Sequence, residues 1–145
     1  MRNEMKVRFY DPKDFDTVLN LLAETKMNTN YDAYSFGSKS LVLENKGEVI
    51  GFCWVIAGDS KTVYINDFTV AKKYWYRKDQ PGLFLAKALL GLLHNIGYED
   101  YLTNVQPHRR KMYKLLTQKL KGRDCKEHSL IRGTIKELNE GLLSF

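Results

Sequence analysis

Three consecutive segments constrain this chain most. A strand-like run covers Thr62 to Val70, a helical run follows from Pro81 to about Asn95, and a second strand-like run covers Tyr98 to Val105. Strand, helix, strand in that order calls for a crossover, which lays the two strands parallel in one sheet. The helix ends are written in the residues: Pro81 suits the first helical position, and Gly97 gives room for a left-handed cap. Between strand and helix lies a basic, aromatic loop, Lys72-Lys73-Tyr74-Trp75-Tyr76-Arg77-Lys78. A basic loop feeding a helix N-terminus is a place to hold an anion. The first helical amides have no partner within the helix, and the helix dipole favours negative charge. The plainer reading is an ordinary connection with a solvated basic surface.

The rest of the chain supplies more strands and two more helices. Lys6 to Tyr10 reads as a short strand, with Val7 and Phe9 on one face. Asp11 can then cap a helix with Pro12 at its first position and Phe15, Val18, Leu19 and Leu22 at helical spacing. Asn28 to Ser38 has no clear period and reads as a loop or short helix carrying Tyr31 and Tyr34. Leu41–Glu44 and Val49–Ile56 are strand-like, and Asn45-Lys46-Gly47 between them makes a hairpin. A helix is expected from Pro107 to about Lys121, closed by Gly122, with Met112, Leu115, Leu116 and Leu120 as its apolar face. A last strand runs from Ser129 to Ile135, with Asp124–Glu127 as a candidate partner. The expected fold is α/β, or mixed α+β: a central, mainly antiparallel sheet of about six to seven strands flanked by helices.

The 145 residues suit one domain, 1–145, and 43% hydrophobic residues are enough for one core. Met1 to Phe9 holds no apolar run, and Leu83 to Leu93, interrupted by Lys87, is too short to span a bilayer. A cytoplasmic protein with no membrane partner is the expectation. Three histidines and two distant cysteines, Cys53 and Cys125, do not make a metal site. The net charge of +6 favours anionic partners, with positives gathered at Lys72–Lys78 and at His108–Lys121.

The order of elements resembles the GCN5-related N-acetyltransferase superfamily, and the resemblance covers nearly the whole chain. It rests on Val7-Arg8-Phe9-Tyr10-Asp11-Pro12-Lys13-Asp14-Phe15 as first strand and helix start, and on Gly47-Glu48-Val49-Ile50-Gly51-Phe52 in the hairpin. It rests also on Ile65-Asn66-Asp67-Phe68-Thr69-Val70 as fourth strand, and on Asn104-Val105-Gln106 through Met112-Tyr113-Lys114 as fifth strand and following helix. The loop departs from the family's Gln/Arg-x-x-Gly-x-Gly/Ala pattern. With Asp79 in first place Gly82 matches, and Phe84 stands where a small residue is usual.

The resemblance implies acetyl transfer from acetyl-CoA, as co-substrate, to a primary amine by direct attack. Backbone groups from Phe68 to Val70 would pair with the pantetheine and stabilise the oxyanion. Loop amides from Lys78 to Leu83, Gly82 among them, would take the pyrophosphate, with Arg77, Lys78 or Arg109 adding charge-assisted contacts. Asp67 is the candidate base for the ammonium substrate, and Tyr113 the candidate acid for the departing thiolate. The plainer readings are an ion partner for Asp67 and a helix-surface packing residue for Tyr113. Tyr31 and Tyr34 are candidates to line the acceptor site, or ordinary packing residues.

Two other functions stay open. A relative of this fold that has lost catalysis would act as a binding protein, which the altered loop favours. A nucleic-acid-binding module would use the alternation of charge and aromatics in Lys72–Lys78 for phosphate contact and base stacking. The acceptor amine and a homodimeric state are not specified by the sequence.

Overall fold

The computed structural model describes residues 4–75, 77–105, 109–124 and 130–143, leaving aside the side chains of Tyr113, Lys119 and Asp124. Its strands are β1 (Met5–Phe9), β2 (Leu41–Asn45), β3 (Glu48–Ala57), β4 (Thr62–Val70), β5 (Asp100–Asn104), β6 (Arg123–Asp124) and β7 (Leu130–Thr134). Its helices are α1 (Phe15–Glu24), α2 (Pro81–Ile96), α3 (Arg110–Lys114) and α4 (Ile135–Leu142). The strand order is β1-β2-β3-β4-β5-β7-β6. Pairing is antiparallel in β1/β2, β2/β3, β5/β7 and β6/β7, and parallel in β4/β5. The crossover expected from the sequence is therefore present, and the sheet is mixed and mainly antiparallel.

The chain packs as two compact units, Met1–Ile56 with Asp67–Ala86 and Ala57–Asn66 with Lys87–Phe145, so that β4 and α2 each contribute residues to both. In the first unit, a capping box sets the entry to α1. The Asp11 carboxylate accepts the amide of Lys13 at 2.9 Å, and Asp14 accepts the amide of Asp11 at 2.9 Å. The expected helix from Pro12 is a 3-10 turn over Pro12–Asp14 that passes into α1 at Phe15. Asp14 is buried and takes two hydrogen bonds of 2.8 Å from the Arg8 guanidinium, whose Nε donates to buried Glu44. Those bonds hold the Asp14 carboxyl below its ordinary range against the opposing effect of burial.

The hairpin turn needs two left-handed residues, and Lys46 (φ 53°) and Gly47 (φ 82°) provide them. Gly51 on β3 has no room for a side chain, since a Cβ there would lie 3.1 Å from Leu43 Cβ and 3.3 Å from Thr69 O. Thr69 is fully buried, and its hydroxyl donates to that of Thr25 at 2.8 Å, which fastens β4 to the end of α1.

In the second unit Thr62–Ile65 pairs with Asp100–Thr103, and β5 continues against β7. Tyr101 is buried over Gly133, where a Cβ would come within 2.6 Å of the ring. Gly97 (φ 101°) ends α2 as expected, its amide and that of Tyr98 donating to Leu93 O at 3.2 and 3.1 Å. The helix expected from Pro107 to Lys121 is shorter and changes character. It is α-helical over Arg110–Lys114 and widens to a π turn over Leu115–Lys119, with Leu120 N–H donating to Leu115 O at 3.0 Å. Gly122 does close it, donating to Leu116 O at 2.8 Å. Pro107 and His108 lie outside the described residues, as do Cys125 and most of the Asp124–Glu127 segment.

Helix α4 was not expected. Thr134 caps it by accepting the amide of Glu137 at 3.1 Å, and Ile135, Leu138 and Leu142 form its buried stripe.

Candidate active site

Most of the residues singled out in the sequence fall in the first unit. There the end of β4 meets the start of α2. Among the described residues, and apart from its chain neighbours and its own helix backbone, an ideal Cβ at Gly82 would find only Val70 Cγ2 within 4 Å, at 3.9 Å. The backbone of the first helical turn is thus open to a close approach. Gln80 O accepts the amide of Phe84 at 3.0 Å, so the helical ladder begins there. The amides of Gly82 and Leu83 precede the first amide that a helical ladder can satisfy. Pro81 contributes no donor and fixes φ for the turn.

The loop before this helix is braced rather than loose. Val70 O accepts the indole N–H of Trp75 at 2.7 Å, and Ala71 N–H donates to Ile50 O at 2.8 Å. Tyr74 is buried, with the Arg77 guanidinium carbon 4.8 Å and Lys73 Nζ 5.3 Å from its ring centre. Arg77 also donates to Asp79, from Nη2 to Oδ2 at 2.6 Å and from Nε to Oδ1 at 3.1 Å. Of the two loop cations expected to meet phosphate, Arg77 is thus engaged by a carboxylate of its own loop, and Lys78 is exposed. Of the loop aromatics, Tyr74 is buried, Trp75 is 42% exposed with its N–H donating to the strand, and Tyr76 lies outside the described residues.

Asp67 sits one turn of the pleat before Thr69 and is 5% exposed. Its charge acts on two neighbours. Burial pushes the Tyr31 hydroxyl up, and Asp67 adds to that, against a hydrogen bond from Asn28. Burial likewise pushes up the Cys53 thiol, with Asp67 as the second cause, so Cys53 is an inert, protonated core residue. Tyr31 packs against Trp54 and Phe36, whereas Tyr34 is 83% exposed. The sequence reading missed Phe36 and Trp54. The only signal for them was the density of aromatics between Tyr31 and Trp54.

In the second unit, Arg109 lies just ahead of α3 and the Tyr113 backbone is within it; the Tyr113 side chain lies outside the described residues. Among the described residues no group of three His, Cys, Asp or Glu side chains could hold a metal ion, and no helix is long and apolar enough to cross a membrane.

No family model matches the sequence, and no curated protein matches it either. Solved structures do match in shape. Ard1 from Thermoplasma volcanium shares 16% identity with a TM-score of 0.75, over 90% of this chain and 97% of its own. The GNAT family N-acetyltransferase YhbS from Escherichia coli, in complex with CoA, shares 21% identity with a TM-score of 0.62, over 96% of this chain and 87% of its own. The diaminobutyrate acetyltransferase EctA from Paenibacillus lautus, in complex with its substrate L-2,4-diaminobutyric acid and coenzyme A, shares 20% identity with a TM-score of 0.62, over 80% of this chain and 74% of its own. Likeness at these identities is a likeness of fold.

Proposed function

We infer that this chain, which has the fold of the GCN5-related N-acetyltransferases, is an acyl-CoA-dependent N-acyltransferase that passes an acetyl group from acetyl-CoA to a primary amine. The observation that carries this reading is the open backbone at Gly82, where the end of β4 meets the first turn of α2. A diphosphate needs close approach to unpaired amides at the positive end of a helix, and a glycine flanked by basic residues supplies both. Two of the compared structures hold coenzyme A, which supports the same reading.

Acetyl-CoA supplies the acyl group as a thioester. The chain's own part is to hold it, deprotonate the amine and neutralise the charges that develop. Gly82, Leu83 and Lys78 bind phosphate oxygens, and Arg77 joins them by exchanging Asp79 for phosphate. Backbone groups of Phe68 to Val70 pair with the pantetheine arm and offer an N–H to the developing oxyanion. Asp67 takes the proton from the ammonium, so that a neutral amine attacks. Tyr113, assigned by its place on the helix after β5, returns a proton to the thiolate.

The test is thiol release from acetyl-CoA by the purified protein, with and without each of a panel of primary amines. Amine-dependent release supports the enzyme. Binding of acetyl-CoA with no release from any amine points instead to a binding protein, a reading favoured by the engagement of Arg77 with Asp79. Neither binding nor release removes both.

A further inference from the structure

Val70 stands where β4 runs on past one of its neighbours. Ala71 N–H donates to Ile50 O on β3 at 2.8 Å, and Thr69 O would lie 3.3 Å from a Cβ at Gly51, so the backbone groups of Thr69 and Ala71 face β3. Successive residues of a strand turn their backbone groups to opposite sides, so those of Phe68 and Val70 face the other edge. On that edge the ladder with β5 covers Thr62–Ile65. The Val70 carbonyl lies past its end, and the donor it receives is a side chain, the Trp75 indole N–H, at 2.7 Å. Val70 also stands beside Gly82, with its Cγ2 3.9 Å from an ideal Cβ there.

A strand carbonyl on an open edge is where an extended ligand adds its own amides. The pantetheine arm carries secondary amides, and their N–H groups compete with the indole for this carbonyl. Two roles for Trp75 differ in sign. As a brace, the indole keeps the loop in order for the ligand, and its loss weakens binding. As a stand-in, it occupies a place that the ligand needs, and its loss strengthens binding. The loop has other anchors, which favours the stand-in. Tyr74 is buried, and the amides of Tyr74 and Trp75 donate to Ala71 O and Lys72 O at 3.0 Å each, which closes the 3-10 turn over Lys72–Tyr74. Trp75 itself is partly exposed, so its ring can leave without opening the core.

We propose that the Trp75 indole is an internal stand-in for an amide of the pantetheine arm: it satisfies the Val70 carbonyl in the free protein, and the ligand evicts it on binding. The proposal concerns control of the site in the acyltransfer reading and rests on that reading. The apparent affinity for coenzyme A is then lowered by the fraction of molecules in which the carbonyl is already taken.

The test is a calorimetric titration of the parent and of Trp75→Phe, which keeps an aromatic ring and removes the N–H donor. The ligands are coenzyme A and 3′-phospho-ADP, the same nucleotide without the pantetheine arm. Trp75→Phe should bind coenzyme A about twofold to tenfold more tightly, the worth of one neutral hydrogen bond lost from the free protein alone. Its affinity for 3′-phospho-ADP should be unchanged. A thermal scan checks that the variant is folded. In a proton–nitrogen correlation spectrum of the parent, the indole signal that Trp75→Phe lacks belongs to Trp75. That signal should move on saturation with coenzyme A and stay in place with 3′-phospho-ADP. Equal or weaker coenzyme A binding by folded Trp75→Phe, or an indole signal that coenzyme A leaves in place, would overturn the stand-in and leave acyltransfer intact. An equal gain for 3′-phospho-ADP would place the effect in the loop rather than at the carbonyl, and would overturn it too. Failure of both ligands to bind parent and variant alike would strike the acyltransfer reading, and the stand-in with it.

Discussion

Arg77 and Asp79, two residues apart, form a bidentate ion pair within the loop that leads into α2, with Nη2 2.6 Å from Oδ2 and Nε 3.1 Å from Oδ1. The loop therefore carries a carboxylate where an anionic ligand is proposed to sit. Asp79→Asn removes that charge and releases the guanidinium. Both side chains are substantially exposed, 42% and 35%, so the gain is modest. Affinity for acetyl-CoA should rise about twofold to fivefold, equivalent to about 0.5–1 kcal/mol. The gain should shrink as salt is added. Calorimetry at two ionic strengths reads both effects; weaker binding by Asp79→Asn would contradict the placement of the phosphates.

Gly82→Val separates binding from packing. Among the described residues outside its own helix turn, Val70 Cγ2, at 3.9 Å, is the one atom a new Cβ would meet, so the fold should tolerate a side chain there. The expected result is a melting temperature within a few degrees of the parent and acetyl-CoA affinity at least tenfold lower, because a β-branched residue covers the open amides. A variant that unfolds easily but binds normally when folded would show that Gly82 serves packing alone.

Arg8 bridges two buried carboxylates, Asp14 and Glu44. Arg8→Met leaves both without their guanidinium. Because the Arg8 side chain is 30% exposed, the loss should be about 2–3 kcal/mol, below that of a fully buried pair. The pH dependence has a definite sign. Asp14 is depressed in the folded state, so its contribution is complete above the unfolded carboxylate value of about 4 and is lost as pH falls through the lower folded value. Denaturant midpoints should thus fall in the parent as pH drops below about 4, with a shallower slope in Arg8→Met.

The Tyr101 hydroxyl is buried with no hydrogen-bond partner among the described residues, and burial raises its pKa to about 12. Tyr101→Phe should therefore be neutral or stabilising by up to about 1 kcal/mol, since it removes a desolvated group that gains nothing. Gly133→Ala, by contrast, drives a methyl to within 2.6 Å of the same ring and should cost about 1–3 kcal/mol. Urea titrations of the two variants check the contrast.

The elements that carry local punctuation were legible in the sequence. Asp11-Pro12, Lys46-Gly47, Pro81 and Gly97 each fix a backbone conformation by themselves, and each stands where it was expected. Helix α4 had its own signal in the Thr134-x-x-Glu137 spacing of an N-cap, but its apolar stripe is short: Ile135 was read as the end of the preceding strand and the residues after it were assigned to no element. The π turn at Leu115–Lys119 has no counterpart in the apolar spacing, which fits a regular helix equally well. The Trp54–Tyr31–Phe36 corner was out of reach for a different reason. Its members come from a strand and an irregular loop, and only tertiary packing brings them together.

The account turns on whether the open turn at Gly82 holds the diphosphate of acetyl-CoA. Calorimetric titration of the purified protein with acetyl-CoA, paired with a thermal scan, tests this most directly. Saturable binding is predicted, weakening with salt, with a stability gain of about 2.7 kcal/mol at a hundredfold excess over the dissociation constant. Absence of heat and of any thermal shift at millimolar acetyl-CoA and CoA would contradict it.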